Sequence, residues 1–182
     1  MPYNTVMFNV PLILKKLDLK PGDIVADLGT GREGRMAISA AQFIGDDGIA
    51  YAVDVVKAIL PGIQTKAAMY GLNNVHTVWS NLEVYGGAKV IADNSCDAVF
   101  LVTVLFQSQK HLEILKEAIR VLKPKGKMVV VDWKVKTEAT FGPALNVRIN
   151  PEGIKKIAVE LGLKLQEEFE AGQCHWGLIF VK

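Results

Sequence analysis

The segment Asp27-Leu28-Gly29-Thr30-Gly31-Arg32-Glu33-Gly34 constrains this chain more than any other stretch. It follows an apolar run, residues 22–28, and precedes residues 33–44, where Met36, Ala40 and Phe43 share one helical face. Gly29, Gly31 and Gly34 thus form a G-x-G-x-x-G turn between a predicted strand and a predicted helix, the context in which that pattern means a nucleotide-binding loop. Glycine there lets the backbone approach a ligand closely. Asp54 lies twenty residues beyond Gly34, at the end of a second strand-like run over residues 49–54. A carboxylate at that place suits the ribose hydroxyls of an adenosine-containing cofactor.

The remainder continues the alternation. A helix is expected from near Pro61, with Ile63, Ala67 and Tyr70 on one face and Gly71 as its stop. Residues 75–80 and 97–103 read as strands three and four. The next helix, about 109–122, carries Leu115, Ala118, Ile119 and Leu122, and Pro124 and Gly126 end it. Residues 127–133 form a fifth strand. Asn150-Pro151 opens a helix with a cap and a first-turn proline, with Ile154, Ile157, Ala158 and Leu161 as its stripe. Residues 163–170 and 176–181 close the chain around a turn too short for a parallel crossover, so they pair antiparallel. The expected class is α/β: a doubly wound Rossmann-like sheet, mostly parallel with one antiparallel strand near the C-terminal edge, and helices on both faces. Ligands of such sheets bind beyond the carboxyl ends of the strands, at the switch point.

Length and composition set the frame. The 182 residues suit one domain, residues 1–182. Within it, 21–133 is the expected cofactor-binding core, 1–20 a helical lid segment, and 134–182 the substrate side. Half the residues are hydrophobic and 22% are charged, which excludes disorder. The longest largely apolar run, residues 98–106, is far short of the ~20 residues a membrane helix needs. No basic patch precedes an apolar stretch at the N-terminus, so no signal peptide is expected. Cys96 and Cys174 are distant and lack metal-ligand spacing. A cytoplasmic setting with free thiols and no metal follows. The net charge, 21 − 19 = +2, supplies no strong attraction for nucleic acid.

Charge also bears on which cofactor the turn accepts. A nicotinamide dinucleotide would place its pyrophosphate against this turn and the following helix N-terminus. Asp27 and Glu33 flank that place and would repel it, while Arg32 and Arg35 offset part of the repulsion. S-adenosylmethionine instead carries a sulfonium and an ammonium, which acidic side chains favour. Its single carboxylate still suits the helix N-terminus.

The sequence resembles the class I S-adenosylmethionine-dependent methyltransferases. Val25-Ala-Asp-Leu-Gly-Thr-Gly31 resembles their first motif and Tyr51-Ala-Val-Asp54 the second. Asn74-Val75 to Asn81-Leu82-Glu83 resembles the third. Cys96-Asp-Ala-Val-Phe-Leu101 with Val104-Leu-Phe106 resembles the fourth strand and its loop. Residues 120–132 resemble the segment leading through the fifth strand. The likeness runs from about Pro21 to Trp133. It implies that Asp54 grips the ribose and that Asp27, Gly29, Thr30 and Gly31 border the methionine portion. Val55 and Leu82 would cover the adenine faces, Asn81 would meet the adenine amine, and the Leu101 carbonyl would receive the ammonium. Two positions depart from the pattern. Glu33 stands where a third glycine is common, and Asn81 replaces the usual Asp.

No triad or metal cluster is visible, and methyl transfer needs none, because the donor is already activated. Positioning then contributes several kcal/mol by itself. The catalytic residues stay unknown. The fourth segment lacks an Asn/Asp-Pro-Pro-aromatic run, so resemblance to amino-methylating nucleic-acid enzymes is weak. A small-molecule acceptor is favoured, RNA and protein acceptors stay open, and a homodimer is possible. S-adenosylhomocysteine would be the product. Specificity should come from residues 1–20 and 134–150, with Trp133 and Arg148 near the acceptor. The alternatives are an NAD(P)-linked oxidoreductase and a non-catalytic S-adenosylmethionine-binding module.

Overall fold

The computed structural model describes residues 8–137 and 141–182. The expected lid over residues 1–20 is thus seen from Phe8 onward, and its first seven residues lie outside the described part. Helix α1 (Val10–Leu17) is capped by Asn9, whose side chain accepts the Leu12 amide at 3.0 Å. Five parallel strands follow: β1 (Ile24–Leu28), β2 (Ile49–Asp54), β3 (Val75–Trp79), β4 (Cys96–Val102) and β5 (Leu122–Trp133). Helices α2 (Arg35–Ile44), α3 (Leu60–Met69) and α4 (His111–Val121) join or follow them, and α5 (Pro151–Glu160) leads to β6 (Lys164–Gly172) and β7 (His175–Val181).

The sheet order is β3-β2-β1-β4-β5-β7-β6. Strand β7 runs antiparallel to both β5 and β6, so β6 regains the direction of the first five. The sheet is therefore the doubly wound one expected, with its one reversed strand next to the edge. Strand residues alternate between two cores. Val25, Ala50, Ala98, Phe100, Val129 and Val131 pack under α1, α2 and α3. Val99, Leu101, Met128 and Val130 pack under α4 and α5. A fully buried Leu or Ile contributes roughly 1.5–3 kcal/mol, so both faces hold the sheet.

Most boundaries differ from expectation by a residue or two, and three of the differences have a backbone reason. Residues 22 and 23 stay outside β1 because Gly22 turns at φ +86° and donates to Ile44 O. Helix α2 starts at Arg35 because Gly34, at φ +57°, is its left-handed cap. Strand β5 starts at Leu122, directly after α4, but its pairing with β4 jumps from Cys96↔Leu122 to Ala98↔Lys127. Residues 123–126, including Pro124 and Lys125 at φ +67°, bulge out between those two pairs. Among the described residues, no helix is long and apolar enough to cross a membrane.

Candidate functional site

Strands β1 and β4 are adjacent, yet the chain winds outward from them in opposite directions. Their carboxyl ends part there, and a cavity of about 620 Å³ opens. That size falls in the usual range for small-ligand sites, roughly 300–1,000 Å³. Its floor is the glycine turn after β1, its sides the segments after β2, β3 and β4.

The turn is held from both flanks. Gly29 and Thr30 donate their amides to Val53 O at 2.8 and 2.9 Å. Gly31 donates to Asp54 Oδ2 at 2.9 Å, and Asp54 Oδ1 accepts the Val56 amide at 2.9 Å. Asp54 thus fixes the turn and its own loop while lining the cavity. Asp27 is buried. Its Oδ2 accepts the Thr30 hydroxyl at 2.6 Å and the Ala37 amide at 3.1 Å. Burial pushes its carboxyl up to about 6, against the two hydrogen bonds, and the Asp54 charge adds to the rise. Among the described residues, neither aspartate forms an ion pair.

Two glycines differ in what surrounds them. A Cβ on Gly29, at φ +83°, would lie 2.4 Å from Val104 Cγ2. A Cβ on Gly31, at φ +65°, would meet nothing within 4 Å. Gly29 is required by the protein's own packing, whereas Gly31 faces open space in the cavity wall.

The walls beyond β2 and β3 carry Val55, which is 56% exposed, and Leu82, which is buried. Asn81 accepts the Glu83 amide at Oδ1 and caps its own loop. Glu83 accepts from Ser108 at 2.7 Å and pairs with Lys110, tying the loop after β3 to the loop after β4. Ser80 Oγ is buried on the cavity wall with no hydrogen-bond partner. Glu33 turns outward to Lys66 at 2.8 Å, and that hydrogen bond holds its carboxyl below the ordinary value.

The structure thus brings Asp27, Gly29, Thr30, Gly31, Asp54, Val55, Asn81 and Leu82 to one cavity. Leu101 is fully buried beneath it. The next residues, Val102 and Thr103, do line it. Sequence reasoning did not single out Phe8, Met36, Ser80, Thr103, Gln107 or Ser108, which line it too. Thr103 sits at φ +56°, unusual for a β-branched residue, with its amide on Val131 O. Nothing in the local sequence marks that conformation.

Trp133 does not line the cavity. It lies 4.2 Å, ring centre to ring centre, from His175, and Arg148 sits over it. Arg148 also donates to the carbonyls of Pro143 and Lys134, pinning the segment that follows β5. Asp132 is buried and accepts the amides of Phe106 and Trp133, so it braces the loop after β4. Burial pushes its carboxyl up to about 7. No metal-holding group of His, Cys, Asp and Glu occurs among the described residues. His111 meets Leu105 O at 3.0 Å, and His76 is an exposed strand residue beside Tyr51.

Known proteins share the fold. A family model described as a methyltransferase domain matches residues 26–130, more than half of the chain. A demethylmenaquinone methyltransferase of Bacillus mycoides is 27% identical over 130 residues, covering 70% of this chain. This chain spans about half, 52%, of that relative's length. A SAM-dependent methyltransferase from Aquifex aeolicus superposes with a TM-score of 0.86 at 25% identity. The match covers 100% of this chain and 93% of that one. A TehB-like SAM-dependent methyltransferase from Corynebacterium glutamicum shares the fold, with a TM-score of 0.71 at 16% identity over 95% and 86% of the two chains.

Proposed function

The chain belongs to the methyltransferase-domain family, and from that premise we propose that it binds S-adenosylmethionine in the 620 Å³ cavity and methylates a small-molecule acceptor. The observation that carries this is the pair Asp27 and Asp54, two carboxylates without ion-pair partners at the ends of neighbouring parallel strands. A cationic donor complements them, whereas a pyrophosphate would be repelled. Arg32 and Arg35 also line the cavity and offset part of that repulsion. Two further features fit the group. Gly31 leaves open space where a ligand can lie on the backbone, and Ser80 Oγ is an orphaned hydroxyl on the wall.

On this reading Asp54 accepts the ribose hydroxyls as charge-assisted bonds while keeping the Gly31 amide. Asp27, Thr30 and the glycine backbone border the methionine portion. Val55 and Leu82 cover the adenine and Asn81 meets its amine, whereas Leu101, expected to take the ammonium, lies beneath the cavity behind Val102 and Thr103. When bound, S-adenosylmethionine supplies an electrophilic methyl group on its sulfonium. The chain's part is to align the acceptor and exclude water, which contributes several kcal/mol without side-chain chemistry. Residues 21–133 serve as the cofactor core, and residues from 134 onward face the acceptor. A small-molecule acceptor is supported by the relative named for demethylmenaquinone. The modest +2 net charge gives no added pull toward RNA.

Native mass spectrometry of the purified protein tests this reading. Retained S-adenosylmethionine or S-adenosylhomocysteine is the expected adduct. A retained nicotinamide dinucleotide would instead make the chain an oxidoreductase. Cofactor retention with no turnover over a broad acceptor panel would make it a binding module.

A further inference from the structure

His175, the first residue of β7, is fully buried, and neither ring nitrogen has a hydrogen-bond partner among the described residues. Buried polar groups are nearly always paired, so such an orphan calls for a physical reason. Leaving one unpaired forfeits its hydration, a cost that an apolar ring in the same place would not incur.

The imidazole sits at the carboxyl end of the sheet, paired in register with Trp133. One side of it is the Trp133 ring, tilted by 45° at 4.2 Å. Another is the Phe8 ring, edge-on at 5.9 Å and 88°. Phe8 is also a wall of the cofactor cavity, beside Met36 and Val102. The Phe8 ring therefore borders both the cavity and the unsatisfied imidazole. The charged groups facing it are cationic. Arg148 stands over Trp133, and Lys134 follows β5 and is paired with Glu170. Burial first, then those two cations, push the imidazole down to about 4, so it is neutral near neutral pH.

We propose that His175 hydrogen-bonds the methyl acceptor, that Phe8 is the ring displaced to admit it, and that the acceptor is a small planar molecule bearing a weakly acidic hydroxyl. This rests on the methyltransferase reading and specifies its substrate class. A neutral imidazole offers one ring nitrogen as an acceptor, and the hydroxyl donates its hydrogen bond there. As the acceptor oxygen takes the methyl group its hydroxyl becomes strongly acidic, so the O–H bond breaks then, its electron pair stays on oxygen, and the proton forms an N–H bond on the imidazole. That imidazolium releases the proton to solvent when the site reopens. Aromatic walls suit a planar ring.

The test uses 4-nitrophenol as the probe, added to the full chain with S-adenosylhomocysteine present. The imidazole C–H resonances of His175, assigned by their loss in His175→Phe, should shift saturably. His175→Phe should keep the product-induced rise in melting temperature and bind the probe at least tenfold more weakly. In Phe8→Ala, carbethoxylation of His175 should speed up at least tenfold. A His175 resonance that 4-nitrophenol leaves unmoved up to its solubility limit overturns the proposal. So does equal probe binding by wild type and His175→Phe. An unchanged carbethoxylation rate in Phe8→Ala removes the plug. If S-adenosylhomocysteine itself leaves the melting temperature unmoved, the methyltransferase reading fails first.

Discussion

Asp27 couples stability to ligand binding with opposite signs. Its carboxyl is raised from 3.8 to about 6 by burial, so the folded chain binds that proton more tightly than the unfolded chain does. The stabilisation linked to it is full below the unfolded value and is lost as pH rises through about 6. A shift of this size corresponds to about 3 kcal/mol. Asp27→Asn should therefore raise the melting temperature near pH 8, by the scale of that linkage, while weakening S-adenosylmethionine binding. A lowered melting temperature at that pH contradicts the charged, desolvated carboxylate. The cofactor's affinity for the wild type should fall below about pH 6, by up to tenfold per pH unit, as calorimetry across pH would show. The two turn glycines separate in the same way. Gly29→Ala drives a Cβ into Val104 and should destabilise the fold by about 1–3 kcal/mol. Gly31→Ala meets open space, so it should cost only about 1 kcal/mol of backbone strain yet abolish cofactor binding. Equal stability losses in thermal melts would undo that distinction. The placement of Asp27 and Gly31 on the cavity was legible in the sequence from strand, turn and spacing. Ser80, Phe8 and Thr103 were not, because long-range packing brings them to the cavity and no local pattern marks them.

At the scale of elements, the loop between β3 and β4 depends on α4. Glu117 is fully buried there and accepts the amides of Gly86 and Ala88 at 2.7 and 3.0 Å. It also pairs with Arg120, which donates to Ile91 O and Ala88 O. Burial pushes the Glu117 carboxyl up, but Arg120 and the two amides outweigh it and hold it below its ordinary value. Glu117→Ala leaves two buried amides and a guanidinium without their acceptor. It should cost about 3–5 kcal/mol in denaturant unfolding. A loss below about 1 kcal/mol would show that solvent replaces the carboxylate freely. This brace was illegible in the sequence, where Glu117 reads as one polar residue of an amphipathic helix. The start of β5 was half legible. Pro124 and Gly126 correctly marked a break before Lys127, but they mark a bulge inside a strand that begins at Leu122. Proline and glycine report a local backbone departure, and tertiary pairing decides whether the strand resumes across it.

For the whole molecule, the alternation of apolar strands with striped helices was enough to predict the sheet, because burial on both faces demands it. The reversed strand followed from the short connection before β7, here Gln173-Cys174. The acceptor side was less legible, since residues 138–140 and 1–7 lie outside the described structure and Arg148 acts as a brace through backbone carbonyls. What the fold as a whole provides is a switch-point cavity walled by two carboxylates that have no ion-pair partner among the described residues. Calorimetric titration of S-adenosylhomocysteine and, separately, NADH into the wild type and Asp54→Asn tests that claim most directly. The account predicts saturable binding of the homocysteine ligand, at least tenfold weaker in the variant, and no binding of NADH. Saturable NADH binding, or S-adenosylhomocysteine binding that Asp54→Asn leaves unchanged, would contradict it.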